Sequence, residues 1–162
     1  MKRRSRFLVL LWALVFGSAA APCQQLTVQA EPGKQVVLSR EDLEALPHVK
    51  VNTAEHGAAP VEFEGVSLKS VLEKGGVSFG ESMKGKRLAN CLLVEAADGY
   101  RAVIALPEID PAFTDKRVVL AFLRDGKPLS EKEGPYRLVI PDEKRMPRWV
   151  RQVTTLKIVE VQ

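Results

Sequence analysis

The chain predicts an α+β, mostly β domain with two or three short helices, and three observations carry that prediction. Short β-branched runs punctuated by Gly, Pro and Asp-Gly recur from residue 26 to the C-terminus. Only two stretches, opening at Ser39 and Ser67, set apolar residues at helical spacing behind a capping serine. No strand is followed by a long helix, so the pattern is not the βαβ rhythm of a doubly wound parallel sheet.

The elements follow in order from a leader. Lys2, Arg3, Arg4 and Arg6 precede an apolar run over 7–16 and the small residues of 17–21, the charged, apolar, small order of a secretory signal. A bilayer span needs ~20 apolar residues, so cleavage near 19–21 is expected rather than a retained anchor. Arg3-Arg4 with Phe7 also loosely resembles a twin-arginine signal, and Cys23 a lipid-modified cysteine, although Pro22 fits the latter poorly. The expectation is a signal at 1–21 and one periplasmic or secreted domain at 22–162, touching membrane only through the leader.

The leader holds four of the 24 basic residues and none of the 20 acidic ones, so the remainder balances at 20 of each. A nucleic-acid partner is thereby excluded, since it calls for a basic mature surface. About 140 residues bury one proper core and not comfortably two. Two cysteines, Cys23 and Cys91, are too few for a disulfide scaffold; they form one bridge, or Cys91 is a buried free thiol.

Residues 26–29 and 35–38 flank Glu31-Pro32-Gly33-Lys34 and predict a hairpin. Ser39 opens a helix with Asp42 placed to complete a capping box, Leu43 and Leu46 turned inward, and Pro47 ending it. Strands are expected at 49–53 and 61–63. Ser67 caps a second helix whose Leu68, Val71 and Leu72 share a face, and Gly75-Gly76 supplies a left-handed way out. Residues 79–90 read as loop with one helical turn. Strands at 91–96 and 100–106 meet at Asp98-Gly99, the strongest hairpin signal present, because the turn needs a positive φ that Gly adopts without a Cβ clash. Residues 117–123, closed by Arg124-Asp125-Gly126-Lys127, repeat the device.

The closing stretch is the most informative for function. An alternating strand at 136–140 is ended by Pro141, then Lys144, Arg145, Arg148 and Arg151 crowd eight residues around Trp149 before alternation returns at 156–161. If Pro147 opens a helical turn, Arg148 and Arg151 share a face and offer two guanidinium forks to one phosphate or sulfate. The opposing reading is a solvated surface neutralised by Asp142 and Glu143. His56 is either a ligand or base, or a plain surface histidine, having no second ligand at metal spacing. His48 follows Pro47 closely and is a lesser candidate. Phosphate-loop, Cys-x-x-Cys and His-Glu-x-x-His signatures are absent from the sequence, and with only two histidines and no defined carboxylate pair a hydrolase mechanism has little to stand on.

Together these pieces resemble the sulfite-oxidase-like molybdopterin-binding domain family. Phe63-Glu64-Gly65-Val66-Ser67-Leu68-Lys69-Ser70-Val71-Leu72 is similar to its Gly-Val-x-Leu-x-x-Leu-Leu helix start, and Ala97-Asp98-Gly99-Tyr100 to its Asp-Gly-Tyr turn. Residues 121–129 are similar to its strand and Asn/Asp-Gly-x-Pro-Leu turn, and 134–161 to its Gly-x-Pro-x-Arg-x-Val-x-Pro region. The resemblance implies a compact β-rich fold that holds a pterin-bound molybdenum and transfers oxygen atoms to or from small substrates such as sulfite. It also implies that Arg148 and Arg151, aligned after one extra residue beyond Pro141, face an oxyanion or the cofactor phosphate, with Arg145, Tyr100 and His56 as further cofactor-binding candidates. For Tyr100 the ordinary alternative is packing across the strands of its hairpin.

The departures are equally definite. Catalytic members supply a cysteine thiolate to molybdenum just before the Gly-Val-x-Leu helix, whereas residues 53–62 contain His56 and no Cys. Cys91 lies after the helix, and Phe63 stands where a Trp platform is often found. No metal ligand is therefore assigned. The expectation is a catalytically degenerate member of the fold; the alternative is a periplasmic module that binds a small oxyanion, a phosphate-bearing ligand or a protein partner without redox chemistry. An active enzyme with unusual metal ligation is the third possibility.

Overall fold

The structure, a computed structural model, describes residues 25–55 and 57–161. The leader, Cys23 and His56 lie outside the described residues. Among the described residues no helix is long and apolar enough to cross a membrane.

The predicted opening hairpin forms as β1 (Leu26–Glu31) and β2 (Lys34–Leu38), turned at Gly33 with φ +78°. Ser39 then caps α1 (Arg40–Glu44): its hydroxyl accepts the Asp42 N–H, and the Asp42 carboxylate accepts the Ser39 N–H in return. Leu43 is the residue that α1 buries. β3 (His48–Thr53) pairs antiparallel with β4 (Val61–Ser67), which runs four residues beyond the expected strand. The reason lies at Gly65. A side chain there would collide with a neighbouring strand, and its absence lets two backbones close up (see below).

Ser67 caps α2 (Leu68–Lys74) by accepting the Ser70 N–H, and Leu68, Val71 and Leu72 are all fully buried, as their spacing predicts. Gly76, at φ +95°, is the left-handed residue that releases the chain. Residues 79–90 form two 3₁₀ turns, Gly80–Ser82 and Gly85–Ala89, where one helical turn was expected. Buried Asp110 holds the first of them by accepting the Gly80 N–H at 2.7 Å.

β5 (Cys91–Ala96) and β6 (Arg101–Ala105) make the Asp98-Gly99 hairpin, with Gly99 at φ +85°. β7 (Val119–Arg124) turns into β8 (Lys127–Pro128) through Asp125 and Gly126, both at positive φ, which gives the primed turn that suits strand twist. Asp125 tolerates this because its own N–H and carboxylate are both taken by the Glu62 backbone. β9 (Arg137–Val139) adds to β7, and β10 (Val153–Val159) closes the chain.

Two sheets result. The first has the order β2-β1-β10-β5-β6, in which β1 and β10 are parallel neighbours that bring the two ends of the domain together. The second runs β3-β4-β7-β8, with β9 also on β7. One apolar core joins them: Leu26, Val28, Leu92 and Leu156 from the first meet Phe63, Val66, Leu120 and Leu138 from the second. Helix α2 binds the layers, because Gly75 at its end is seated on Val28 of β1.

One strand differs from expectation in a way that matters for the site. The alternation read over 136–140 implied one wet face, yet Tyr136, Arg137, Leu138, Val139 and Ile140 are all at most 2% exposed. The strand is covered on both faces. Arg137, the residue that alternation sends to solvent, is buried.

Candidate functional site

Three loops gather at one end of the sheets around an open cleft of about 660 Å³. The stretch after β3 contributes Ala54 and Gly57, the β5–β6 turn contributes Asp98 and Tyr100, and the segment between β9 and β10 contributes most of the rest. That last segment leaves the sheet at Pro141 and is forced back to it. The Leu138 N–H donates to the Val150 carbonyl at 2.8 Å and the Val153 N–H to the Tyr136 carbonyl at 2.9 Å, so residues 141–149 bulge as a loop. Trp149 fixes the bulge, being buried and donating its indole N–H to the Ile140 carbonyl at 3.0 Å.

The predicted helical turn after Pro147 does not form. The Trp149 N–H bonds the Met146 carbonyl and the Val150 N–H bonds the Arg148 carbonyl, which makes consecutive tight turns. Arg148 and Arg151 therefore do not share a helix face. Arg148 turns away from the cleft: its Nε donates to Glu143 at 2.7 Å, its two terminal nitrogens reach Glu108 at 3.3 Å each, and one also contacts the Val103 carbonyl. The physical reason is charge. Two partly buried carboxylates, one 40 residues away, claim the guanidinium that a free anion would need.

Arg145 and Arg151 do line the cleft, joined by Lys144. All three side chains are exposed and have no carboxylate partner among the described residues. Tyr100 spans the opening from the opposite side, its hydroxyl donating to the Pro147 carbonyl at 2.7 Å. It is thus a cross-cleft tie rather than a packed hairpin residue. His56 lies outside the described residues. His48 sits apart, between the Glu64 carboxylate and the Glu44 carbonyl.

Arg137, buried and lining the cleft, belongs to a group that sequence reading missed. Arg137 donates from one terminal nitrogen to Glu133 and from the other to Glu55, both carboxylates being partly buried. Arg124 pairs with the same two acids at 3.0 and 3.3 Å, closing a ring of alternating charge. The Arg137 guanidinium lies 5.2 Å from the Phe63 ring and 5.6 Å from Trp149, and those rings meet edge to face. Its Nε is buried with no acceptor among the described residues. Glu55 and Arg137 are 82 residues apart in sequence, which is why no local pattern announced the pair.

Glu108 gives the cleft loop a measurable acid dependence. Burial alone would push its carboxyl up, but hydrogen bonds from Arg148 and Lys116 outweigh that and hold it at about 2. A carboxyl lower in the folded than in the unfolded chain stabilises above the unfolded value, here 4.5, and loses that contribution as pH falls toward 2. Melting temperatures of wild type and Glu108→Gln are thus expected to differ at pH 7 and to converge between pH 4.5 and pH 2. A constant gap across that range would remove Glu108 from the acid response.

The donor set separates two parts of a molybdenum-pterin cofactor. Rim cations suit a phosphate, whose oxygens they would hold. A sulfur-ligated metal wants a protein thiolate. Among the described residues no group of three His, Cys, Asp or Glu side chains is placed to hold a metal. Cys91 is a free thiol at the far end of β5, ~17 Å along the strand from Ala96 at ~3.3 Å per residue. The described residues therefore fit an anionic group and not the metal.

A sequence profile of the oxidoreductase molybdopterin-binding domain matches residues 20–162. No curated protein matches the chain significantly. Among solved structures, the crystal structure of the sulfane dehydrogenase SoxCD from Paracoccus pantotrophus superposes with a TM-score of 0.64 at 22% identity. The match covers 85% of this chain and 38% of that one, so this chain spans well under half of the larger protein. It is a likeness of fold.

Proposed function

Because the chain belongs to the oxidoreductase molybdopterin-binding domain family, we propose that it is an exported member that has kept the cleft for binding an oxyanion or phosphate-bearing ligand and has given up redox catalysis. The observation that carries the reading is the cleft itself: Lys144, Arg145 and Arg151 border it without carboxylate partners among the described residues, and no described thiol is near it. Export rests on the charged, apolar and small-residue order of residues 1–21.

Two measurements test this. Protein produced with its own leader in a host that makes the cofactor is expected to appear outside the cytoplasm, shortened at its N-terminus, and to contain far less than one molybdenum per chain. One molybdenum and one pterin per chain would restore catalysis and overturn the reading. In the second, phosphate or sulfate raises the melting temperature of the wild type, by the ordinary linkage of a ligand that binds only the folded state. Arg145→Ala with Arg151→Ala is expected to abolish that rise, while Arg148→Ala keeps it. An undiminished rise in the Arg145/Arg151 variant would place the anion elsewhere.

A further inference from the structure

We propose that the pole of the domain opposite the cleft docks on an anionic bilayer surface, with Phe113 and Leu88 entering the headgroup layer and Lys84, Lys86, Arg87 and Arg117 answering lipid phosphates. The domain thereby touches membrane by a surface of its own, apart from the leader and apart from the anion site in the cleft.

Two loops build this pole. The Asp98-Gly99 turn of the β5–β6 hairpin lies at the cleft, so the start of β5 at Cys91 and the end of β6 at Ala105 lie at the other end of the sheet. Residues 79–90 lead into β5 there and residues 106–118 leave β6. The loops are stitched together twice: the Leu106 N–H donates to the Asn90 carbonyl at 3.0 Å, and the Gly80 N–H to the Asp110 carboxylate at 2.7 Å. Asp110 also shapes the second loop, since its carboxylate accepts the Ala112 N–H at 3.2 Å and its carbonyl accepts the Phe113 N–H at 2.9 Å. That tight turn carries Phe113, 49% exposed, and the adjoining loop carries Leu88, 42% exposed.

Apolar groups concentrate here. Of the six large hydrophobic side chains exposed among the described residues, Leu88, Phe113 and Val161 are at this pole, Val161 because β10 ends beside Cys91. At the cleft Tyr100 is exposed, but its hydroxyl is already tied to Pro147. Around the apolar tips, the exposed charges of 79–90 and 111–117 are Lys84, Lys86, Arg87, Lys116 and Arg117 against Glu81 and Asp115. Lys116 is held by Glu108 at 2.6 Å, whereas the other four cations have no carboxylate partner among the described residues.

That charge decides the occupant. A second copy would set the same four cations against their own kind, with two acids to offset them. An anionic bilayer fits, because headgroup phosphates accept from Lys and Arg alike and impose no fixed geometry. Neither the cleft nor the smaller hollow beside Phe122 includes any residue of these loops. The pole thus offers side chains and no socket, which suits a fluid layer into which they can sink. Either signal alone gives marginal binding, and apolar insertion with charge gives a stable contact. In that orientation the cleft faces away from the membrane and stays open to dissolved ligands.

The exported protein, freed of its leader, is mixed at low salt with vesicles of phosphatidylcholine alone or of phosphatidylcholine with phosphatidylglycerol, and the vesicles are sedimented. It is expected to pellet with the mixed vesicles, to stay in solution with the neutral ones, and to be released as salt rises. Lys84→Gln, Lys86→Gln and Arg87→Gln together are expected to weaken partitioning about a hundredfold, roughly fivefold for each cation lost, while Arg145→Ala with Arg151→Ala leaves it unchanged. Phe113→Trp reports insertion: its emission shifts to the blue on the mixed vesicles and is quenched by brominated acyl chains. All these side chains are exposed, so the variants are expected to keep the wild-type melting curve. No pelleting with the mixed vesicles overturns the proposal and leaves this pole to an acidic protein. Pelleting that survives the changes at 84–87 and is lost in the Arg145/Arg151 variant moves the contact to the cleft and overturns it too. The phosphate response of the cleft is read separately by melting temperature, so either reading can fail alone.

Discussion

Arg137→Met is expected to destabilise the domain by about 3–5 kcal/mol, the loss seen when one partner of a buried charge group is removed and the others stay behind. For a domain of this size the melting temperature should fall by about 10–20 °C. The lost attraction is only part of the cause. Glu55 and Glu133 are 12% and 13% exposed, so each would keep a charge with little water to solvate it and only Arg124 to answer it. The Phe63 and Trp149 rings would also lose the cation that lies against both. A second variant separates these causes. Adding Glu55→Gln and Glu133→Gln to Arg137→Met removes the stranded charges, and Arg124, 35% exposed, can turn to solvent. Most of the lost stability should return, because exchanging a whole buried ionic group for neutral residues is often close to neutral. If chemical denaturation finds the triple variant no better than Arg137→Met, the ring acts by packing and its charge pairing is incidental.

The same ring explains which parts of the chain could be read from sequence. Caps and turns were legible because their partners lie within a few residues: Ser39 with Asp42, Ser67 with Ser70, and Gly99 at the tip of its hairpin. The basic cluster after Pro141 was visible for the same reason, as density of like charge. Which of its members faces the cleft was not, since Arg148 is decided by Glu108, 40 residues away. Arg137 was hidden more thoroughly. Alternation assigns a charged residue in a strand to the wet face, and that inference fails where β9 is covered on both sides and Glu133, four residues back, with the distant Glu55 makes burial tolerable. The parallel pairing of β1 with β10 was equally unreadable, for it joins residues over a hundred positions apart without a turn to mark it.

Gly65→Ala is the other change with a large expected effect, although it adds one methyl group and touches no charge. Its Cβ would lie 2.1 Å from the Leu120 carbonyl oxygen and 2.6 Å from the Ala121 Cα, both backbone atoms of β7. No rotamer change relieves such a contact. The strands must separate where Gly65 faces Ala121 and Val66 faces Leu120, in the middle of the second sheet and next to a register shift. Overpacking a well-filled core commonly costs ~1–3 kcal/mol, and a backbone collision belongs at or above the top of that range. Gly75→Ala provides the contrast. There the new Cβ would meet Val28 at Cγ1 (2.3 Å) and Cβ (2.6 Å), so Val28→Ala removes the first contact and leaves the second. Partial recovery is expected from Val28→Ala in the Gly75→Ala background. For Gly65→Ala no trimming of Leu120 or Ala121 should help, because the atoms in the way belong to every residue type. Urea midpoints for these variants decide it: recovery of Gly65→Ala by Leu120→Ala would mean that side-chain crowding, and not strand separation, sets the cost.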